Sequence, residues 1–187
     1  MSIIKDGTGF SYAAKVNSSG RLFVSSRVND RIYYESRDAG KAFIVQFELT
    51  QAVDGVVAGA GYLQYTGTDR LNIKQVTFTT EDAAMTRFGI WKNPTVSGGV
   101  VKTPVNLNFS SNNTPDALCK HDDDGTTVTI TGGSSLYTFR LNGPSSHVVD
   151  LYDAVILGTA DILGIRAAAA SATSKIRVNI MFAESIE

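Results

Sequence analysis

The sequence predicts an all-β protein built as an antiparallel β-sandwich of jelly-roll type, preceded by an extended N-terminal arm. Residues that favour strands (Val, Ile, Thr, Phe, Tyr and Trp) supply 65 of the 187 positions. Apolar and polar residues alternate with a period of two in many segments, which places the apolar side chains on one face of each strand. Clusters of Gly, Pro, Asn and Asp separate these segments at intervals of about 8–18 residues, a spacing typical of an all-β sandwich or barrel.

The clearest alternation lies in residues 42–49, where Phe43, Val45 and Phe47 share one face and Glu48 lies on the other. Such a pattern predicts a strand with one buried face and one exposed face. Comparable runs predict further strands at 21–28, 62–66, 70–80, 87–92, 105–109, 126–131, 136–141, 147–151, 163–170 and 175–182.

The apolar face of segment 70–80 changes sides near Gln75, because Ile73 and Val76 fall in opposite phases of the alternation. A change of phase inside one strand predicts a bulge or a bend between sheets. The core positions that we predict from these patterns are Phe43, Val45, Phe47, Leu71, Ile73, Ile165, Ile176, Val178 and Ile180.

Two segments also admit a helical interpretation. Residues 80–85 could form one short turn, and residues 167–172 are rich in alanine, which has high helix propensity. We interpret the second segment as a strand of small residues, because Leu163, Ile165 and Ala167 already alternate.

Residues 1–30 differ in composition from residues 31–187, which we assign to the sandwich domain. Small and polar residues in the first segment surround isolated apolar ones, a mixture that cannot close a core alone but suits an arm that orders against a partner. The alternative is that residues 20–30 form the first strand of the protein's own sheet. The predicted partner-binding residues of the arm are Phe10, Tyr12, Val16, Leu22 and Phe23.

Charge and composition exclude several classes of protein. Seventeen Lys and Arg against eighteen Asp and Glu give a net charge of -1, so there is no electrostatic footprint for nucleic acid. No uncharged apolar run approaches the ~18 residues of a membrane span, and the first residues lack the apolar run of a signal peptide. We therefore expect neither membrane insertion nor secretion by the usual route.

The one cysteine, Cys119, cannot form an internal disulfide and has no CxxC partner for zinc.

The most conspicuous cluster of possible ligands is Asp122-Asp123-Asp124, followed by Gly125. Adjacent carboxylates supply the hard oxygen atoms that calcium and magnesium prefer. The segment lacks the alternate spacing and the later Glu of an EF-hand loop, and consecutive side chains of an extended loop point in different directions. We favour a solvated β-turn and keep a weak cation site as the alternative.

No constellation of catalytic residues is present in the sequence. His121 and His147 are 26 positions apart, and neither an HxH motif of the cupin type nor an HExxH motif occurs. No Gly-x-Ser-x-Gly turn supplies a nucleophile, and adjacent acidic pairs such as Glu81-Asp82 cannot face each other as glycosidase carboxylates must. We predict no catalytic residue, no metal site and no cofactor, and therefore no enzyme.

Aromatic side chains offer a different hypothesis, which is sugar binding by stacking on exposed rings. Most of them alternate with other apolar residues, so packing between strands is the better interpretation. Trp91 precedes Asn93-Pro94 and is expected at the rim of the core. A carbohydrate-binding module remains an alternative function. The aromatic residues in question are Tyr33, Tyr34, Tyr62, Tyr65, Trp91, Tyr137 and Tyr152.

Several phrases, taken in order, resemble a group of small virion proteins of tailed bacteriophages. Proteins of that group have β-sandwich, jelly-roll-like domains and are often encoded among head and neck genes. One departure is Asn108-Phe109-Ser110-Ser111, which stands where the group has a Gly-Ser turn. The phrases are GTGFSYAAKVNSSGRLFVSSRV, KAFIVQFELT, WKNPT, VNLNFSSNN, LYDAVILG, LGIRAAAA and KIRVNIMFAE.

The resemblance implies a non-enzymatic building block present in many copies, namely a capsid decoration (cement) protein that binds and stabilises the outer surface of a phage head. It also implies a homotrimer, contact with the major capsid protein, and a location in the virion after assembly in the bacterial cytoplasm. A neck, tail or head-fibre attachment protein is the alternative within the virion.

Overall fold

The structure is a computed structural model, and it describes residues 40–50, 58–123, 126–168 and 175–184. These residues form two antiparallel sheets and no helix, so the predicted all-β sandwich is confirmed. The strands are β1 (Ala42–Thr50), β2 (Ala58–Tyr65), β3 (Leu71–Thr80), β4 (Met85–Lys92), β5 (Thr95–Gly98), β6 (Val100–Val101), β7 (Val105–Asn106), β8 (Ala117–His121), β9 (Val128–Thr131), β10 (Ser134–Asn142), β11 (Ser145–Leu157), β12 (Ile162–Ala168) and β13 (Lys175–Glu184).

The strand order places early strands beside late ones. The first sheet has the order β11-β3-β13-β1-β7, and the second has the order β10-β4-β12-β2-β8-β6, with β9 pairing with β2 and β5. The main pairs are therefore nested along the chain: β1 pairs with β13, β2 with β12, β3 with β11 and β4 with β10. Within the described ranges, β10 and β11 are thus edge strands, and β6 and β7 lie at the opposite edges.

The core lies between the two sheets and contains all nine predicted positions, each of which is buried. Phe43 and Phe182, from neighbouring strands, stack with their ring centroids 5.7 Å apart. Each large apolar side chain buried in this way contributes about 1.5–3 kcal/mol to the free energy of unfolding. The alternation of the sequence therefore identified the core face correctly.

The predicted bulge near Gln75 is confirmed. Gln75 pairs with Met181, but Ile73 pairs with Phe182, so Lys74 is an extra residue on β3. An extra residue reverses the phase of the strand, which allows apolar residues on both sides of the bulge to face the core.

The segment predicted as a strand at residues 105–109 is a strand only at Val105–Asn106, so the prediction is wrong for its second half. The side-chain Oδ1 of Asn106 accepts a hydrogen bond of 2.9 Å from the backbone N–H of Asn108, which turns the chain away from the sheet. Phe109 is consequently 92% exposed.

Other boundaries differ from the prediction for local reasons. Strand β11 is longer than the predicted 147–151, because a register shift between Asp150 and Val155 interrupts its alternation without ending the pairing. Strand β9 begins at Val128 rather than at Thr126. The short strands β5, β6 and β8 were not predicted. The described residues of the two segments with a helical alternative are not helical, and 162–168 form β12.

Predictions for residues 1–30, including a strand at 21–28, lie outside the described residues. Within the described ranges, no helix is long and apolar enough to cross a membrane.

The segment between β4 and β10 determines what covers the second sheet. Its strands β5 and β9 pair with each other and pack on the outer face of that sheet, where Val128 and Ile130 bury Tyr62. The chain approaches so closely that a Cβ atom at Gly164 would lie 2.7 Å from Cγ of Pro94. No described strand covers the part of the outer face next to β10, where a cleft lies between β4, β10 and β12.

Candidate functional site

The predicted partner-binding residues of the arm lie outside the described residues. They are Phe10, Tyr12, Val16, Leu22 and Phe23. The described residues offer two kinds of candidate site instead. One is a pair of apolar surfaces at opposite edges of the sandwich, and the other is a cleft on the outer face of the second sheet.

Among the described residues, the exposed large apolar side chains lie on edge strands and in the turn that follows β7. On one side of the sandwich they lie on β10 and β11, and we call this surface the long-edge flank. It consists of Leu136, Tyr137, Val148, Tyr152 and Ile156. On the opposite side they lie on β6, on β7 and just after β7, and we call this surface the short-edge flank. It consists of Val100, Val101, Val105 and Phe109.

The long-edge flank is built by the longest strand of the protein, the 13-residue β11, whose outer edge pairs with no described strand. Its register shift centres on Tyr152, which has a φ of 46° and is 76% exposed. The backbone N–H of Tyr152 donates a hydrogen bond of 3.1 Å to Oδ1 of Asp150. The bulge twists the edge locally, which is a common protection against indiscriminate strand pairing.

The cleft lies where the outer face of the second sheet is open. It has a volume of about 300 Å³ and is lined by Arg87, Phe88, Gly89, Trp91, Thr138, Phe139, Arg140 and Arg166. No carboxylate is among these lining residues. We call it the arginine cleft.

Strand register brings the residues of the arginine cleft together from β4, β10 and β12. Gly89 on β4 pairs with Thr138 on one side and with Arg166 on the other. Two pairs further along the sheet, Arg87 is directly opposite Arg140. Gly89 makes room for the Trp91 ring, because a Cβ atom at this position would lie 2.8 Å from Nε1 of Trp91.

Arg166 is held in place on the wall of the cleft. Its guanidinium carbon lies 4.0 Å from the centre of the Trp91 ring, a cation–π contact, and its Nη2 donates a hydrogen bond of 2.9 Å to the carbonyl of Gly132. Its Nε is buried and has no hydrogen-bond partner. Burial lowers the pKa of Arg166, but an arginine remains protonated at neutral pH.

The cysteine and the two histidines that the sequence analysis considered for chemistry are packed against other side chains of the sandwich. Burial raises the pKa of the Cys119 thiol to about 12, so it carries almost no thiolate at neutral pH. His121 is buried, its ring stacks on Phe47 with centroids 6.2 Å apart, and its Nδ1 lies 3.3 Å from the carbonyl of Glu48. His147 stacks with aromatic rings of β10.

The acidic segment turns tightly. The backbone N–H of Thr126 donates a hydrogen bond of 2.8 Å to the carbonyl of Asp123, and the two residues form an isolated bridge. Among the residues that the structure describes, no three His, Cys, Asp or Glu side chains form a group that could hold a metal ion. Asp124 lies outside the described residues.

Sequence reasoning did not identify the arginine cleft, although part of its signal was present. Arg87, Gly89 and Trp91 are two positions apart, so they share one face of a strand. The contributions of β10 and β12 depend on register, which the alternation of a single strand does not give. In comparisons with models of protein families, with curated proteins and with solved structures, no match to this chain was found.

Proposed function

We propose that the protein is a non-enzymatic structural protein of a virion, and specifically a capsid decoration protein that binds and stabilises the outer surface of a bacteriophage head. The observation that carries this proposal is the separation of the exposed large apolar side chains into two flanks at opposite edges of one sandwich. Exposed apolar surface of this kind marks sites of association between proteins.

The nested strand pairing supports the jelly-roll form of the sandwich. In a jelly roll, two Greek keys wrap an antiparallel ribbon into two sheets, so the first strand pairs with the last and the second with the one before it. The pairs β1–β13, β2–β12, β3–β11 and β4–β10 follow this order. Capsid proteins, lectins and cupins use this architecture, so the fold alone does not decide among them.

The two flanks favour assembly of the chain with itself. Because the long-edge flank and the short-edge flank consist of different residues, a contact between them is heterologous, and heterologous contacts form a ring when the rotation between successive copies closes. A ring buries both flanks of every copy, whereas a two-fold dimer buries only one kind. We propose a ring of three copies, in agreement with the homotrimer that the sequence resemblance implies.

Two further features suit a crowded outer lattice. The net charge of -1 limits repulsion between neighbouring copies.

We propose that residues 1–30 form the arm that binds the major capsid protein. Deletion of residues 1–19 is expected to leave a folded protein that binds heads more weakly. Undiminished binding by the truncated protein would contradict the role of the arm.

The copy number of the protein in purified particles tests the proposed function. We expect hundreds of copies per head, measured by quantitative mass spectrometry against the major capsid protein. About a dozen copies or fewer would instead indicate a neck, tail or head-fibre position, where ring symmetry limits the number. Absence of the protein from particles would contradict a virion function.

The carbohydrate-binding alternative receives less support. Of the aromatic residues that the sequence offers, Trp91 lies at a cleft, but one face of its ring is occupied by Arg166 at 4.0 Å. Stacking of a sugar needs an open ring face.

A further inference from the structure

The charged side chains among the described residues that line the arginine cleft are all arginines. Arg87 and Arg140 are directly opposite each other on adjacent antiparallel strands, and Arg166 lies two pairs away on the third strand, opposite Gly89. Like charges in directly opposed positions of a sheet destabilise it. Among the residues that the structure describes, no acidic side chain lines the cleft to offset this repulsion. An anion bound between the guanidinium groups would offset it.

The shape of the cleft suits a small ligand. Its volume of about 300 Å³ lies at the lower end of the range for small-molecule sites. The cleft spans the Gly89–Thr138 pair, and the Trp91 ring lies close over Gly89 on one side of it. A β-bulge in the register between Ser135 and Tyr137 adjoins this pair.

One wall of the cleft is already ordered. Arg166 is fixed by its contact with the Trp91 ring and by its hydrogen bond to the carbonyl of Gly132. A guanidinium that is held before binding loses less conformational entropy when a ligand arrives than a mobile surface arginine does. Arg87 and Arg140 are exposed and remain accessible from solvent.

We propose that the arginine cleft binds the oxyanion of a small ligand, either a carboxylate group or a phosphate group. Guanidinium groups recognise both through paired, charge-assisted hydrogen bonds, in which each N–H donates to an oxygen of the anion. Carboxylate-bearing sugars and free phosphate share this chemistry. The proposal does not depend on the function proposed above, because the cleft lies on an outer sheet face and the flanks lie at the edges.

Calorimetric titration of the full-length protein with three probes tests this site. The probes are glucuronate, inorganic phosphate and glucose, the last of which is a neutral sugar of the same size as glucuronate. We expect glucuronate or phosphate to bind, glucose not to bind, and the affinity to fall as salt is raised. The Arg87→Gln and Arg140→Gln variants should each bind at least about tenfold more weakly, because each loses a charged hydrogen-bond donor.

A matched control and a stability measurement separate loss of the site from loss of the fold. Arg70→Gln removes the same charge from an exposed position just before β3, in the other sheet, and should leave the affinity unchanged. Arg140→Gln should melt at the same temperature as the natural protein or a higher one, because it relieves the repulsion between Arg87 and Arg140.

Comparison of the probes shows whether the cleft prefers a carboxylate or a phosphate. Binding of glucuronate without phosphate assigns the cleft to a carboxylate, and binding of phosphate without glucuronate assigns it to a phosphate. Failure of both probes to bind, or equal weakening by Arg70→Gln and Arg140→Gln, overturns the proposal.

Discussion

Tyr137 of β10 and His147 of β11 stack with their ring centroids 6.5 Å apart and their planes within 6° of parallel. The two residues belong to different sheets, so this contact closes the gap between the sheets at the long-edge flank. Phe139 lies beside both rings, with centroid distances of 5.5 Å to Tyr137 and 4.7 Å to His147. The flank is therefore held from beneath by a cluster of aromatic rings that joins it to the core.

Removal of the central ring of this cluster should destabilise the protein. Phe139 also contacts Phe78 and Phe88 in the core, with centroids 5.0 and 5.4 Å apart respectively. We expect Phe139→Ala to lower the free energy of unfolding by about 2–4 kcal/mol, as truncation of a well-packed aromatic side chain does. Urea denaturation followed by circular dichroism measures the change.

Leu136→Ala is the matched control for this experiment, because Leu136 lies on the same strand but is exposed. Its effect should stay within about 0.5 kcal/mol, as for most surface substitutions. Equal losses in the two variants would show that the ring cluster does not join the flank to the core.

The buried carboxyl of Glu184 should give stability a distinctive pH dependence. Burial raises the pKa of Glu184 above its ordinary value of 4.5, and the nearby carboxylates of Asp116 and Asp69 raise it further, while Lys41 and a hydrogen bond from the Asp116 N–H lower it. The folded protein therefore keeps a proton that the unfolded chain has released. Stability should fall as the pH rises from about 4.5 through the raised pKa, and then become constant.

Replacement of Glu184 by Gln should remove this fall, since an amide does not titrate and its oxygen can still accept the hydrogen bond from Asp116. Urea midpoints at several pH values between about 4 and 7 measure the difference between the two proteins. Glu81→Gln, at an exposed carboxylate paired with Arg177, should retain the fall. The same slope in the Glu184→Gln variant as in the natural protein would show that another group causes it.

Chelation tests the remaining hypothesis about the acidic segment 122–124. We expect the melting temperature to be the same with and without EDTA, because a solvated turn gains nothing from a cation. A large drop with EDTA would show that a cation binds the folded protein, since a ligand that binds only the native state raises its stability.

The sequence contained enough information for the core but not for the edges. The alternation of Phe43, Val45 and Phe47 identified a buried face directly. In a strand with one buried face, every second side chain is apolar, because successive side chains point to opposite faces. Strand order, by contrast, depends on pairing between segments far apart in the chain. Tyr137 and Tyr152 could therefore not be recognised as edge residues from their neighbours alone.

The same limit applies to the arginine cleft. Arg87 and Trp91 share a face by their spacing, but Arg140 and Arg166 join them only through the register of β10 and β12 with β4. Short strands such as β6 also escaped prediction, because two residues cannot show a period. Such strands form through pairing with a longer neighbour, here β8.

Equilibrium sedimentation of two flank variants, alone and mixed, tests the head-to-tail assembly most directly. The natural protein should sediment at three times its chain mass of 20.0 kDa. Val101→Lys places a charge on the short-edge flank and Tyr152→Lys places one on the long-edge flank, and each variant alone should be a folded monomer. Thr129→Lys, at an exposed position that belongs to neither flank, should remain a trimer.

The mixture of the two flank variants gives the decisive result, because each variant keeps the flank that the other has lost. We predict a species of two chains and nothing larger, since one intact contact forms and the ring cannot close. A natural protein that sediments as a monomer would contradict the account, and so would a Val101→Lys variant that forms dimers on its own.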